Sequence, residues 1–287
     1  IKVVGHKIPD TDCTLSAILL ADFLNKKWLY SAKAYIQWSL NKETEYILKL
    51  LNIDTPEIAT SFPAWTNVAL VDHNEHFQTL DNLDELNLEF LVDHHKIDFS
   101  TSNPVNIRME KLCSTCSVIY KMYKAEGFEI TSELWKIFLS GILSDSLLFK
   151  SATTTKEDIE IAKALQEITW VSDLESFAMP MFDAKSDLWD MPAEELIKYD
   201  YKEFLFNWKK IWLWALETTN PNYALNRKDE ILKAMESIKK DDKLEFILLS
   251  IVDIIWEKNT SMVLDWADSK IIEEVFNVKV ENNLADL

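Results

Sequence analysis

The chain has 287 residues, 48% of them hydrophobic, which is enough for one large or two ordinary domains. Acidic residues outnumber basic ones by 48 to 30, and the net charge is −18. Such a surface disfavours nucleic acid and anionic membranes as partners, and no apolar run approaches the ~20 residues that span a bilayer. Three cysteines do not form a disulfide framework. The first residues do not resemble a signal peptide, so we expect a cytoplasmic protein.

The first half of the chain alternates between apolar runs that resemble buried strands and segments with helical periodicity. Strands are predicted at residues 1–4, 68–71 and 90–92, and helices at 14–24, 116–125 and 133–143. A further helix is expected to begin with Thr154 as its cap and Glu157 three residues later. This alternation predicts an α/β fold with a parallel sheet and helices on both faces.

The second half contains a smaller set of elements. The stretch 179–191 is rich in Asp, Met and Pro and has no clear period, so we interpret it as an inter-domain linker. The later predictions are helices at 193–198 and 228–239 and strands at 211–216 and 244–254. The predicted division is an N-terminal domain of residues 1–184, a linker of residues 185–191 and a smaller C-terminal α/β domain of residues 192–287.

Glycine is scarce and tryptophan is abundant. The chain has 3 Gly and 11 Trp, whereas about 7% Gly is usual. Several Trp occupy segments where turn chemistry favours Gly, which adopts positive φ without steric strain. They are Trp28, Trp38, Trp65, Trp170, Trp208 and Trp266. We hypothesise that Trp stands in place of Gly in these turns.

Histidines and aspartates follow the predicted strands. The first strand is followed by Gly-His-Lys-Ile-Pro-Asp-Thr-Asp at 5–12, the next by Asp72, and the third by Asp-His-His at 93–95. A predicted helix ends at Asp145. The carboxyl ends of parallel strands meet at one edge of a sheet, so these side chains can surround a common centre. The metal-ligating candidates are His6, Asp10, Asp12, Asp72, His94 and Asp145.

A ligand set of one imidazole and several carboxylates for each metal is typical of a borderline-hard ion such as Mn²⁺. It is not typical of a zinc site built from thiolates. A carboxylate can bridge two metals roughly 3.5–4 Å apart, which together activate water for attack on a phosphoryl group. The sequence thus predicts a metal-dependent phosphohydrolase. Each motif alone could be a polar loop, and the prediction depends on their joint occurrence. Cys113 and Cys116 lack a second ligand pair, and we interpret them as ordinary thiols.

These motifs resemble those of the DHH phosphoesterase superfamily, and specifically the family II inorganic pyrophosphatases. The matching segments are residues 5–12, Val-Asp-His-Asn-Glu at 71–75, Asp-His-His-Lys at 93–96, Ser-Thr at 114–115 and Leu-Ser-Asp-Ser-Leu-Leu-Phe-Lys-Ser at 143–151. The resemblance covers nearly the whole chain.

The resemblance implies a role for each site residue. One metal is expected to bind His6, Asp10, Asp72 and Asp145, and the other Asp12, Asp72, His94 and Asp145. Asp72 and Asp145 then bridge the two ions. His95 is expected to face the phosphate and to donate a proton to the leaving group. Asp93 is expected to orient a ligand histidine. Lys202 of the second domain is expected to contact the electrophilic phosphate.

The family hydrolyses pyrophosphate to two phosphates with two Mn²⁺ or Co²⁺ per subunit and Mg²⁺ delivered with the substrate. Its members are usually cytoplasmic homodimers, here expected to pair through the N-terminal domain. The family's Ser-Arg-Lys-Lys segment has no counterpart before Leu287, so residues 1–287 are expected to have weak or no activity. The alternatives are an exopolyphosphatase, a short-oligonucleotide phosphoesterase or a catalytically impaired metal-binding protein.

Overall fold

The computed structural model describes residues 1–28, 30–169, 171–187, 191–198, 201–206 and 208–287. The side chains of residues 169, 198 and 201–206 also lie outside this description. The chain forms two compact units, residues 1–184 and 185–287. Among the described residues, no helix combines the length and apolarity needed to cross a membrane.

The sheet of the first unit contains six strands: β1 (Lys2–Val4), β2 (Lys33–Ile36), β3 (Glu57–Ile58), β4 (Asn67–Val71), β5 (Asn87–Asp93) and β6 (Asn106–Met109). All neighbouring strands are parallel, in the order β3-β2-β1-β4-β5-β6. From β1 the chain continues through β2 to β3 at one edge of the sheet, whereas from β4 it continues through β5 to β6 at the other edge. This switch point creates a crevice beyond the carboxyl ends of the two strands, where ligands bind in such sheets.

The helices of the first unit are α1 (Thr11–Lys26), α2 (Lys42–Leu50), α3 (Thr115–Glu126), α4 (Ser132–Asp145), α5 (Lys156–Thr169) and α6 (Leu174–Lys185). Helix α1 is buried along most of its length and packs against α3, α4 and the sheet. The opposite face of the sheet is covered by Leu80, Leu83 and Leu86 from the loops after β4. The sheet therefore holds the amino-terminal ends of α1 and α3 near the crevice.

The second unit contains α7 (Ala193–Lys198), β7 (Tyr201–Phe206), β8 (Lys209–Thr218), α8 (Asn222–Leu225), α9 (Lys228–Asp241), β9 (Phe246–Asp253), β10 (Lys258–Val263), α10 (Trp266–Phe276) and β11 (Leu284–Asp286). Its strands are ordered β11-β10-β9-β8-β7, and only β8 and β9 are parallel. Residues of β8 alternate between the core and solvent, with Trp212 and Trp214 buried. The parallel-sheet unit and the smaller α/β unit confirm the predicted fold class.

Two local predictions are wrong. Residues 179–185, expected as part of a linker, belong to α6, which accommodates Pro180 within it. The predicted helix cap is displaced by one residue: Thr155 and Asp158, rather than Thr154 and Glu157, exchange the hydrogen bonds at the start of α5. The carboxylate of Asp158 also accepts from the backbone N–H of Cys113, a contact distant in sequence that favours this register.

Three of the tryptophans have the backbone conformation that glycine favours. The φ angles are 59° at Trp28, 66° at Trp65 and 65° at Trp208. Each of these side chains is exposed, so packing does not compensate for the strained backbone. Trp38 and Trp266 are not among the described residues with positive φ, and Trp170 lies outside the described residues. The expected conformation is thus found at three of the five positions that the structure describes.

Replacing Trp28 or Trp65 with glycine should stabilise the protein. We expect each of Trp28→Gly and Trp65→Gly to raise the free energy of unfolding by about 1 kcal/mol, since an L-residue in the left-handed region costs roughly 1–2 kcal/mol. Denaturant unfolding followed by circular dichroism measures the change. Trp38→Gly is the matched control: its side chain is also exposed, but its φ is not positive, so it should give no gain. A similar gain in all three variants would contradict the argument.

Candidate metal centre

The loop after β1 brings three predicted ligands to the start of α1. His6 follows the strand, Asp10 caps the helix by accepting from the backbone N–H of Cys13 at 2.9 Å, and Asp12 lies buried in the first turn. Helix α1 approaches so closely that a Cβ on Gly5 would lie 2.1 Å from the Cys13 sulfur. Glycine at position 5 therefore permits the packing that carries Asp10 and Asp12 to the crevice.

Asp72 lies at the centre of the site, directly after β4. Its φ of 61° is unusual for a residue other than glycine, and strain of this kind is concentrated at functional sites. Its Oδ2 lies 3.5 Å from Nε2 of His6, and its Oδ1 lies 3.3 Å from Nε2 of His94. The two oxygens of one carboxylate thus face two different imidazoles.

His94 is held so that one ring nitrogen points into the site. Its Nδ1 lies 3.0 Å from the carbonyl oxygen of Leu112, which fixes the ring. Its Nε2 is buried and makes no hydrogen bond. This nitrogen lies 3.7 Å from Oδ2 of Asp145, at the end of α4. Asp12, His94 and Asp145 each offer a ligand atom within 4.8 Å of the others.

The start of α3 holds two of the carboxylates, a role that sequence analysis missed. The backbone N–H groups of Thr115 and Cys116 donate to the oxygens of Asp12 at 2.6 and 3.1 Å, and the Thr115 hydroxyl donates to Oδ1 of Asp72 at 2.9 Å. The amino terminus of a helix carries partial positive charge, so it stabilises these carboxylates. The sequence pointed to this position only through the Ser-Thr pair at 114–115, where α3 begins, and no role was predicted for Thr115.

The residues fit divalent metal ions. The separations of 3.3–3.7 Å between imidazole nitrogens and carboxylate oxygens exceed ordinary hydrogen-bond lengths. Ligand bonds of roughly 2.1 Å place neighbouring ligand atoms about 3.0–3.4 Å apart, close to these values. His6 lies 3.6 Å from Asp10 and forms one group with Asp72. Asp12, His94 and Asp145 form the second, in which His94 also faces Asp72.

The electrostatics of the site favour a cation. Burial, together with the nearby charge of Asp72, raises the pKa of Asp12 to about 7. Burial alone would lower the pKa of His94, but the Asp72 carboxylate outweighs it and raises the pKa to about 9. The pKa of His6 is likewise raised, because Asp10 and Asp72 outweigh the effect of burial. Without a metal, bound protons balance part of the negative charge.

His95 and Asp93 form a separate pair beside this centre. Oδ1 of Asp93 lies 2.9 Å from Nδ1 of His95, and Asn74 donates to the other oxygen at 2.6 Å. The Asp93 contact raises the pKa of His95 despite partial burial. Asp93 contacts His94 only through that residue's backbone N–H, at 2.7 Å. Asp93 therefore orients the His95 ring, and its role in orienting a ligand histidine stays a prediction.

Two other predicted features, and one cysteine that was not a predicted ligand, have different outcomes. Asp145 lies in the group of Asp12 and His94, and its role as a second bridge stays a prediction. Lys202 lies in β7 opposite Leu213, and its side chain is outside the described residues. Cys13 lies near His6 and Asp72, but burial raises the pKa of its thiol to about 12, which disfavours a metal-binding thiolate.

Binding of Mn²⁺ to the metal-free protein should release protons. Metal ligands must be deprotonated, and the raised pKa values of Asp12 and His94 leave protons to displace near neutral pH. The affinity should therefore fall as the pH drops from 8.5 to 6. Calorimetric titrations in buffers of different ionisation enthalpy measure the number of protons released. Proton uptake, or an affinity independent of pH, would contradict this account of the site.

Comparisons with known proteins identify the family of the chain. Residues 1–142 match the DHH family N-terminal domain, and residues 179–287 match the DHHA2 domain. The chain is 40% identical to a probable manganese-dependent inorganic pyrophosphatase of Deinococcus radiodurans, over 100% of this chain and 93% of the relative. It is 36% identical to a manganese-dependent inorganic pyrophosphatase of Methanocaldococcus jannaschii, over 98% of this chain and 91% of that relative.

Solved structures show the same fold. A Methanococcus jannaschii protein assigned to the family II inorganic pyrophosphatases matches with a TM-score of 0.68 and 33% identity, over 100% of this chain and 93% of the other. An exopolyphosphatase-related protein from Bacteroides fragilis matches with a TM-score of 0.53 and 14% identity, over 99% and 85% of the two chains, and shares the fold. With such identity along its whole length, this chain belongs to the family II, manganese-dependent inorganic pyrophosphatases, of the DHH superfamily.

Proposed function

We propose that this chain hydrolyses pyrophosphate to two phosphates at a site that holds two Mn²⁺ ions. The observation that carries the proposal is the Asp72 carboxylate, one oxygen of which faces His6 and the other His94. The names of the full-length relatives support the substrate and the metal. Co²⁺ is the alternative ion, and we expect Mg²⁺ to arrive with the substrate.

The proposed ligands divide into two sets around Asp72. His6, Asp10 and Asp72 would hold one ion, and Asp12, Asp72, His94 and Asp145 the other, with Asp145 also reaching the first. A bound pair of divalent ions lowers the pKa of water and neutralises phosphoryl oxygens. The start of α3 keeps Asp12 and Asp72 in place through Thr115. Because these two carboxylates are already held in place, they would need to move little when the metal ions bind.

The remaining groups act on the substrate. His95 is about half exposed, and its Nδ1 lies 3.8 Å from Oδ1 of Asp72, so its ring borders the site. The raised pKa favours the protonated ring, which can donate a proton to the departing phosphate. Lys202 is proposed to contact the electrophilic phosphate. A homodimer through the N-terminal domain and a cytoplasmic location stay predictions from the family resemblance.

Phosphate release from pyrophosphate, tripolyphosphate and a dinucleotide, each with Mn²⁺, tests the proposal. We expect weak cleavage of pyrophosphate, in line with the expectation for residues 1–287, and no detectable cleavage by Asp72→Ala, because both metal sets share that carboxylate. Asp84→Ala removes an exposed carboxylate outside the centre and should retain activity. Cleavage confined to the longer substrates would favour the alternative phosphoesterases, and no cleavage would favour a catalytically impaired protein.

His95→Gln should separate proton donation from metal binding. We expect kcat to fall roughly 10²-fold, the usual contribution of a general acid, while Mn²⁺ affinity is retained. His76→Gln is the matched control, because His76 also pairs with an aspartate, Asp84, but is largely exposed. Steady-state kinetics and a Mn²⁺ titration measure the two effects. Equal kinetics in both variants would remove His95 from the mechanism.

A further inference from the structure

A buried glutamate lies beside the metal centre without belonging to either ligand set. Glu43 is in the first turn of α2 and is 1% exposed. Glutamate is seldom buried so completely unless it has specific partners. Its Oε2 accepts hydrogen bonds from the hydroxyls of Thr11 and Ser144, each at 3.0 Å. Both donors are themselves buried, so water does not compete for these bonds.

The two donors adjoin ligands from distant parts of the sequence. Thr11 lies between Asp10 and Asp12 at the start of α1, and Ser144 directly precedes Asp145 at the end of α4. Ser144 is 101 residues from Glu43, and Thr11 is 32. A single carboxylate oxygen therefore links the loop that carries two predicted ligands to the helix end that carries a third.

Glu43 is itself firmly placed. Asn41 caps α2 by accepting from the backbone N–H of Thr44 at 2.8 Å, and the Thr44 hydroxyl lies 3.0 Å from that of Thr11. A carboxylate in the first turn of a helix also interacts favourably with the helix dipole. The start of α2 therefore forms a rigid support against which Thr11 is held at two points.

Charge repulsion favours separation of the start of α1 from the end of α4 when no metal is bound. Asp12 and Asp145 offer ligand atoms within 4.8 Å of each other, and carboxylates at this distance repel. Asp145 also ends α4, where the partial negative charge of the helix opposes a carboxylate. Three consecutive residues of positive φ, Leu147, Leu148 and Phe149, follow it, so the segment after the ligand is strained.

We propose that Glu43 is a positioning residue, which sets the separation of Asp12 and Asp145 by holding Thr11 and Ser144 on one oxygen. This inference rests on the proposed metal centre. It predicts that Glu43 determines metal affinity although it does not contact the metal. Residues that orient metal ligands typically change affinity by roughly 10- to 100-fold when they are replaced.

Mn²⁺ titration of the full chain, with free Mn²⁺ measured by electron paramagnetic resonance, tests this role. We expect Glu43→Ala to weaken binding roughly 10- to 100-fold. Glu43→Gln keeps an oxygen acceptor in the same place and should bind within about threefold of the parent protein. Ile47→Ala is the matched control: it removes a buried side chain from the same helix that cannot hydrogen-bond to Thr11 or Ser144, so it lowers stability and leaves those two bonds in place.

The outcomes separate this proposal from the proposed function. If the parent protein binds no Mn²⁺, the metal centre itself is wrong. If the parent binds and Glu43→Ala binds equally well, or if Ile47→Ala weakens binding as much, the positioning role is wrong. Should Glu43→Ala fail to fold, Ser144→Ala removes one of the two hydrogen bonds alone. We expect it to weaken binding severalfold, and an unchanged affinity would overturn the proposal.

Discussion

The structure of the first unit depends on the crowding of three carboxylates and two imidazoles around the carboxylate of Asp72. Such a cluster repels itself unless positive charge compensates it. Two helix amino termini, those of α1 and α3, supply part of this charge, and Thr115 donates to both Asp12 and Asp72. Bound protons supply more, since the pKa values of Asp12 and His94 are raised. The remaining excess of negative charge favours divalent cations at this centre, in a chain whose net charge is −18.

Strand order explains why these groups meet. β1 and β4 are adjacent at the switch point of the sheet, and β5 lies next to β4. His6, Asp72 and His94 therefore arrive from three neighbouring strands, while helices α1 and α4 add Asp12 and Asp145. Close packing completes the arrangement, because Gly141 leaves space where a Cβ would lie 3.0 Å from Oδ1 of Asp12. A distant substitution in α4 can thus disturb a ligand in α1.

Most of the candidate ligands could be predicted from the sequence, because they lie at the ends of apolar runs. The long periodic helices and the buried strands β4 and β5 were found for the same reason. Thr115 and Glu43 were missed because their roles arise from contacts with residues distant in sequence. The strands β2, β3 and β6 were missed because they contain polar, exposed residues and therefore lack the apolar run that marks a buried strand. The start of α5 was displaced because a contact with Cys113, absent from local patterns, selects Asp158.

The most direct test of a shared Asp72 is a crystal structure of the protein with Mn²⁺, using anomalous scattering to locate the ions. If Asp72 bridges two ions, the map should contain two anomalous peaks roughly 3.5–4 Å apart, each beside one oxygen of its carboxylate. One peak should lie beside His6 and the other beside His94. A single peak, or two peaks that do not share Asp72, would contradict a paired-metal centre bridged by this residue.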